Sequence, residues 1–171
     1  MNNSEVENRI CFDADLIRRY DHAGPRYTSY PAAVRFHEDF NETRYRACAL
    51  ETNKDLKPRP LSLYFHIPFC ARPCFYCACN KVVTGNRAHA APYLENLCRE
   101  IFEQGKLFDK GRPVNQLHWG GGTPTFLSHA QIQELMAVTA RNFDLHADDS
   151  GEYSIEVDPR EADEGTIALL R

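Results

Sequence analysis

From residue 61 onward the sequence alternates three times between a strand pattern and a helix pattern. Strand patterns cover residues 61–66, 115–119 and 152–157, and in the first and third of them apolar and polar side chains alternate with the period of two that is typical of β-strands. Apolar residues recur at helical spacing after the first two strands. Ser128 and Gln131 have the spacing of a capping box at the start of the second helix. This order predicts an α/β fold with a parallel sheet and right-handed crossovers.

The predicted strands carry polar side chains on one face, whereas strands of a flat, doubly wound sheet are usually apolar on both faces. A barrel with a polar interior accounts for this difference, and it would direct Tyr64, His66, His118 and Glu156 inward. Three β/α units do not close a barrel. We therefore expect residues 61–171 to be part of a larger barrel, and the chain alone to be inactive.

Residues 1–60 differ in pattern and are predicted to form an N-terminal arm that precedes the barrel. A short helix is expected from Asp13, with Phe12, Leu16 and Tyr20 on one face, and a second helix over residues 41–50. Between them, two X-Pro pairs at residues 24–25 and 30–31 favour an extended path.

Composition excludes several classes of function. The net charge of -4 argues against binding to nucleic acid, which needs a basic surface. The sequence shows neither a leader pattern nor an apolar run of about 18 residues. We therefore expect a cytoplasmic protein that does not enter a membrane. Four of the seven cysteines lie within residues 70–79, a spacing that favours ligation of a metal over a disulfide framework.

Cys70, Cys74 and Cys77 follow the first strand with the spacing C-x3-C-x2-C. Three thiolates can hold three irons of a 4Fe-4S cluster and leave the fourth iron open to another ligand. A zinc site with Cys79 as the fourth sulfur is the alternative, although zinc sites usually combine two separated pairs. Cys79 is either a thiol without a role or a thiol close to the cluster or substrate.

Two further features follow the second and third strands, at the edge where β/α enzymes place their sites. Residues 120–125 read Gly-Gly-Gly-Thr-Pro-Thr, and such a run either exposes backbone groups to a ligand or forms a plain turn. Glu156 needs a partner if it is buried. That partner is a ligand ammonium or hydroxyl group, or alternatively Arg160.

The cysteine motif, the glycine run and residues 154–159, Ser-Ile-Glu-Val-Asp-Pro, resemble the radical S-adenosylmethionine (SAM) superfamily. Within it, residues 63–70, 74–80 and 117–125, together with residues 24–31 of the arm, are similar to the family of oxygen-independent coproporphyrinogen III oxidases. The resemblance implies the first three β/α units of an incomplete (β/α)6-type barrel.

By position, the resemblance implies roles for ten residues. Cys70, Cys74 and Cys77 match the ligands of the 4Fe-4S cluster, and Cys79 matches a cysteine that is required for activity without ligating the cluster. Contacts to one SAM molecule are implied for Tyr64, Gly121 and Glu156, and contacts to a second SAM molecule for Tyr76, Gly122 and Thr123.

The implied activity is that of an oxidoreductase in haem biosynthesis. A 5′-deoxyadenosyl radical made at the cluster decarboxylates two propionates of coproporphyrinogen III to give protoporphyrinogen IX. An electron donor and an electron acceptor are also implied, and we expect a monomer. Arg26 and Arg35 of the arm are candidates for binding the substrate carboxylates or are solvated surface charges. The alternatives are a haem-binding chaperone of the same superfamily and a zinc-stabilised interaction module.

Overall fold

The computed structural model describes residues 12–22 and 32–171. Its contacts divide the chain into two compact units, residues 1–40 and 41–171. In the first unit, helix α1 (Ala14–Tyr20) begins after Asp13, whose carboxylate accepts hydrogen bonds from the backbone N–H groups of Asp15 and Leu16, each at 2.9 Å. The predicted helix at Asp13 is therefore confirmed. The X-Pro segment and Arg26 lie outside the described residues.

The second unit contains four helices and six strands among the residues that the structure describes. In chain order they are α2 (Glu42–Glu51), β1 (Leu61–Ile67), β2 (Phe69–Cys70), β3 (Val82–Val83), α3 (Ala90–Gly105), β4 (Pro113–Gly121), α4 (His129–Asn142), β5 (Asp144–Leu145), β6 (Glu152–Ile155) and α5 (Glu164–Leu169). Two short 3-10 turns, Arg87–His89 and Pro124–Phe126, precede α3 and α4.

Strand β4 is the centre of the main sheet. It pairs in parallel with β1 along its whole length, and on the other side with β5 near its start and with β6 farther along. The predicted α/β fold with a parallel sheet is confirmed. The third predicted strand ends early, at Ile155, and the Glu156 N–H donates one further hydrogen bond to Trp119 O (2.9 Å).

One face of the sheet packs against helices α3 and α4 and forms the core. From β1, Leu61, Phe65 and Ile67 are buried in this core while Ser62 and Tyr64 are exposed on the opposite face. The core side chains of the two helices are Leu94, Leu97 and Ile101 on α3 and Ile132 and Leu135 on α4. The alternation that the sequence shows in β1 therefore separates a packed face from a polar face.

A buried arginine, Arg112, makes several of the hydrogen bonds that connect residues 41–60 to the sheet unit. The Arg112 guanidinium donates to Thr52 Oγ1 (2.6 Å), Asn53 Oδ1 (2.9 Å) and, through two nitrogens, to Arg59 O (2.8 and 3.1 Å). This segment therefore belongs to the same compact unit as the sheet, although its composition differs. The domain division at residues 60 and 61 stays a prediction.

Among residues 12–22 and 32–171, no helix combines the length and the apolar character needed to cross a membrane.

Candidate functional site

A cavity of about 680 Å³ lies beyond the carboxyl ends of β1, β4 and β6. Parallel strands bring their carboxyl ends to one edge of a sheet, so three loops that are distant in sequence meet there. These loops are the cysteine loop, the glycine run and residues 156–160. Of the predicted site residues, the lining includes Cys70, Cys74, Tyr76, Cys77, Cys79, Gly121, Gly122, Thr123 and Glu156.

The cysteine loop, residues 71–81, is closed at its base by pairing between β2 and β3. Val82 N–H donates to Pro68 O (2.7 Å), and Thr84 N–H donates to Cys70 O (2.9 Å). Cys70 is buried at this base and its sulfur accepts a hydrogen bond from Thr123 Oγ1 (3.6 Å). Cys74 is exposed and Cys77 is partly exposed.

The donor set of this loop fits an iron-sulfur cluster that needs three protein sulfurs. In the described part of the chain no three histidine, cysteine or acidic side chains converge closely enough to form a ready-made metal site. The three sulfurs nevertheless line one cavity, with one held at the base of the loop and two on its exposed arch.

Cys77 and Cys79 are distinguished by their electrostatics. The backbone N–H of Cys79 hydrogen-bonds the Cys77 sulfur and lowers the pKa of Cys77, and the Cys79 thiol and Lys81 add to this effect. Donation to Cys77 raises the pKa of Cys79 in turn. The thiolate is the form that binds metal, so the lowered pKa of Cys77 is in the direction that favours ligation.

Glu156 contacts the glycine run directly. Its Oε2 accepts a hydrogen bond from the Gly121 N–H at 3.0 Å, and its Oε1 lies 3.6 Å from His118 Nε2. The alternative ion pair with Arg160 is wrong, because the guanidinium of that residue is engaged by Asp158 instead. About half of the Glu156 side chain is exposed, so this carboxylate keeps capacity for a further partner.

The glycines at 121 and 122 are required by the close approach of two strands. Gly121 has a φ of 109°, and a Cβ added to it would lie 2.5 Å from His66 Nδ1. A Cβ on Gly122 would lie 2.7 Å from the Pro68 carbonyl group, and the Gly122 N–H already donates to Ile67 O (2.8 Å). The run therefore lets the end of β4 pack against the corner between β1 and β2.

Tyr64 is the one predicted site residue that does not line this cavity. Its hydroxyl is 3.0 Å from His66 Nδ1, while His66 Nε2 donates to Asn80 O (2.7 Å) on the cysteine loop. The Tyr64 ring also stacks on His118, with 5.8 Å between centroids. Desolvation, followed by Glu156 and Cys79, raises the pKa of Tyr64. Three side chains of the polar face expected from the sequence, Tyr64, His66 and His118, are therefore connected through Tyr64, and His66 connects them to the cysteine loop.

The cavity wall contains three charged residues to which the sequence analysis assigned no role toward a ligand, namely Arg72, Asp158 and Arg160. Arg160 donates from Nε to Asp158 Oδ1 (2.9 Å) and from Nη2 to Asp158 Oδ2 (2.6 Å). This pairing lowers the pKa of Asp158 to about 2, with a smaller effect from Arg72. The sequence signal that was available for them is their place in loops at the carboxyl edge.

The chain is similar to proteins of one superfamily. The Radical SAM superfamily matches residues 64–171. An oxygen-independent coproporphyrinogen III oxidase of Pseudomonas aeruginosa strain PAO1 is 54% identical over 95% of this chain and 35% of its own length. Its counterpart in Mannheimia haemolytica is 48% identical over 89% of this chain and 99% of that sequence.

The chain is also similar to a solved structure of this superfamily. Coproporphyrinogen III oxidase from Escherichia coli, described as a radical SAM enzyme, aligns with a TM-score of 0.77 and 47% identity over 95% of this chain and 34% of that chain. The chain therefore spans about a third of the length of the Pseudomonas and Escherichia proteins.

Proposed function

This chain belongs to the radical SAM superfamily and, within it, to the family of oxygen-independent coproporphyrinogen III oxidases, and we propose that it serves the reaction for which that family is named. The reaction is the oxidative decarboxylation of two propionates of coproporphyrinogen III to protoporphyrinogen IX in haem biosynthesis. The observation that carries the proposal is the meeting of the three-cysteine loop, Gly121 and Glu156 around one cavity.

Membership of the superfamily implies a 4Fe-4S cluster and SAM. We assign Cys70, Cys74 and Cys77 to the cluster because they share one loop, and Cys79 to a neighbouring role as a thiol that hydrogen-bonds Cys77. When bound, the cluster supplies the electron that cleaves SAM to methionine and a 5′-deoxyadenosyl radical. The protein must bind and orient the reactants and keep water from the radical.

Glu156, Gly121 and Tyr64 are assigned to one SAM molecule. The half-exposed Glu156 carboxylate is suited to accept from an ammonium or a ribose hydroxyl, and the Gly121 N–H orients it. Tyr64 does not line the cavity, so its effect on this SAM molecule would pass through its contacts with His66 and His118.

A second SAM molecule is assigned to Tyr76, Gly122 and Thr123. The Tyr76 ring is 90% exposed on the cysteine loop and is free to stack on a purine. The N–H groups of Gly122 and Thr123 already donate to Ile67 O and Phe69 O. Contacts from these two residues would therefore use other backbone atoms, and a cavity of about 680 Å³ is within the usual range for such ligands.

The remaining parts of the proposal concern the whole protein. We propose that the parallel sheet is part of a (β/α)6-type barrel, that residues 1–60 form an arm, and that the protein works as a cytoplasmic monomer with an electron donor and an electron acceptor. Arg35 is exposed and keeps its proposed role toward a propionate. The proposed role of Arg26 stays a prediction.

Anaerobic reconstitution with iron and sulfide, followed by electron paramagnetic resonance of the reduced chain, tests the proposal. Addition of SAM is expected to change the spectrum, and 5′-deoxyadenosine is expected to form. Cys77→Ala should abolish both signals, whereas Cys98→Ala, which removes a thiol of α3 outside the cavity lining, should retain them.

Two outcomes would favour the alternative functions. Zinc at one atom per chain without sulfide would indicate an interaction module, and stoichiometric haem binding without cleavage of SAM would indicate a chaperone. The relatives reported above bear the oxidase name and favour neither alternative.

A further inference from the structure

Arg87 lies between the cysteine loop and α3, and its guanidinium reaches two other loops. Its Nη1 donates to Phe126 O (2.5 Å) and more weakly to Thr125 O (3.4 Å), in the 3-10 turn that follows the glycine run. Its Nη2 donates to Glu161 Oε2 (2.8 Å), in the loop that follows β6. Arg87 lies in the segment that continues from the cysteine loop through β3, and its side chain joins this segment to the loops that follow β4 and β6.

The contacts of Arg87 are made against a buried surface. Its guanidinium carbon lies 4.4 Å from the centroid of the Phe126 ring, which is 1% exposed. Phe126 also stacks on Phe69, with 5.1 Å between centroids, and Phe69 directly precedes Cys70. Because close-packed side chains transmit strain, these two rings connect Arg87 to the base of the cysteine loop.

The pair with Glu161 is partly shielded from water. The Glu161 side chain is 22% exposed and the Arg87 side chain 49% exposed, so the attraction between the charges is less screened than in a fully solvated pair. A guanidinium is planar and has several donors in fixed directions, which lets it hold a carbonyl and a carboxylate at the same time. A lysine ammonium at this position has one nitrogen and cannot reproduce both contacts in the same geometry.

We infer that Arg87 is a positioning residue that holds the three loops of the cysteine cavity at their mutual spacing. A ligand that contacts the cysteine loop, Gly121 and Glu156 together needs all three loops in place, and a small displacement of any one weakens its binding. The expected effect on SAM binding rests on the proposed function, whereas the expected effect on the spacing of the loops does not.

The loops are tested by amide hydrogen exchange of the full 171-residue chain. Arg87→Met is expected to increase exchange in residues 119–127 and 156–163, on either side of the two contact sites, while the helix α4 retains its protection. The matched control is Arg99→Met, since Arg99 is exposed on α3 and its described side-chain bond is to Asn96 of the same helix. An increase confined to residues near 87, or an equal increase in all segments, would overturn the inference.

Binding is tested by equilibrium dialysis of SAM with the reconstituted chain. Arg87→Met should weaken SAM binding by about tenfold, Arg87→Lys should restore only part of the affinity, and Arg99→Met should leave it unchanged. Glu161→Gln should weaken binding less, and its effect should not add to that of Arg87→Met. Unchanged affinity in Arg87→Met rejects the inference. Absence of SAM binding by the unmutated chain rejects the proposed function instead, and the exchange comparison then decides the role of Arg87.

Discussion

Gly121 shows how a single residue combines two constraints. Its positive φ is strained for any residue with a side chain, and the His66 ring occupies the space that a Cβ would need. We expect Gly121→Ala to lower the free energy of unfolding by about 1–3 kcal/mol, measured by urea denaturation. It should also disturb the hydrogen bond between the residue 121 N–H and Glu156.

Gly111 provides the matched control for that substitution. A Cβ on Gly111 meets no atom within 4 Å, so Gly111→Ala should change the free energy of unfolding by no more than about 0.5 kcal/mol. Equal effects of the two substitutions would show that the close approach to His66 does not constrain residue 121.

Asp158 makes stability depend on pH at the acid end. Its pKa is lowered to about 2 in the folded chain by Arg160, whereas an aspartate in an unfolded chain titrates at about 3.9. The folded state therefore binds this proton less tightly, so the stabilisation is present above about pH 4 and is lost as the pH falls toward 2. We expect the difference in urea midpoint between the unmutated chain and Asp158→Asn to narrow over that range.

The exposed Asp55, in the segment between α2 and β1, serves as the control for this pH series. The difference in urea midpoint between the unmutated chain and Asp55→Asn should stay constant from pH 5 to pH 2. A constant difference between the unmutated chain and Asp158→Asn would contradict the assigned pairing with Arg160.

At the scale of elements, α4 is held by its apolar stripe and by its first turn. The capping box predicted from Ser128 and Gln131 is present, with bonds of 3.3 Å and 2.9 Å in the two directions. Leu135 is fully buried between α4 and its neighbours. We expect Leu135→Ala to cost about 2–5 kcal/mol of unfolding free energy, since it leaves a cavity in the core.

A leucine outside the core separates this packing effect from the chemical change. Leu56 is fully exposed between α2 and β1, and Leu56→Ala should alter the urea midpoint very little. A comparable loss of stability in both variants would mean that α4 does not pack as described.

At the scale of the whole second unit, Arg112 connects residues 41–60 to the sheet. It is 7% exposed and makes four hydrogen bonds to that segment. Arg112→Met leaves several of those acceptors without a donor and should cost about 1–3 kcal/mol. Amide hydrogen exchange should increase more in α2 than in β4.

Arg44, which is exposed on α2, is the control for Arg112. Arg44→Met should preserve both the unfolding free energy and the protection of α2. Retained protection of α2 in Arg112→Met would show that residues 41–60 are held by other contacts.

The pattern of residues close together in the sequence predicted several of the strands, helices and helix caps of this protein. The period of two in β1, the capping box of α4 and the helix start at Asp13 depend on residues close in sequence, and each is found as expected. The three cysteines, Gly121 and Glu156 line one cavity, as their positions after the strands predict. Parallel strands place such loops at one edge whatever the details of packing.

Contacts between distant residues were decided by the tertiary structure alone. Asp158 lies two residues before Arg160 and Glu156 lies four residues before it, so both carboxylates are near along the chain, and only the fold shows that Arg160 pairs with Asp158. His66 and Arg87 are ordinary residues in sequence, and only packing places one against Gly121 and the other between two loops. Periodicity and spacing determined which elements form and which loops meet. The partners of each side chain were set by the three-dimensional fold, because hydrogen bonds and close packing depend on separations in space that sequence distance does not encode.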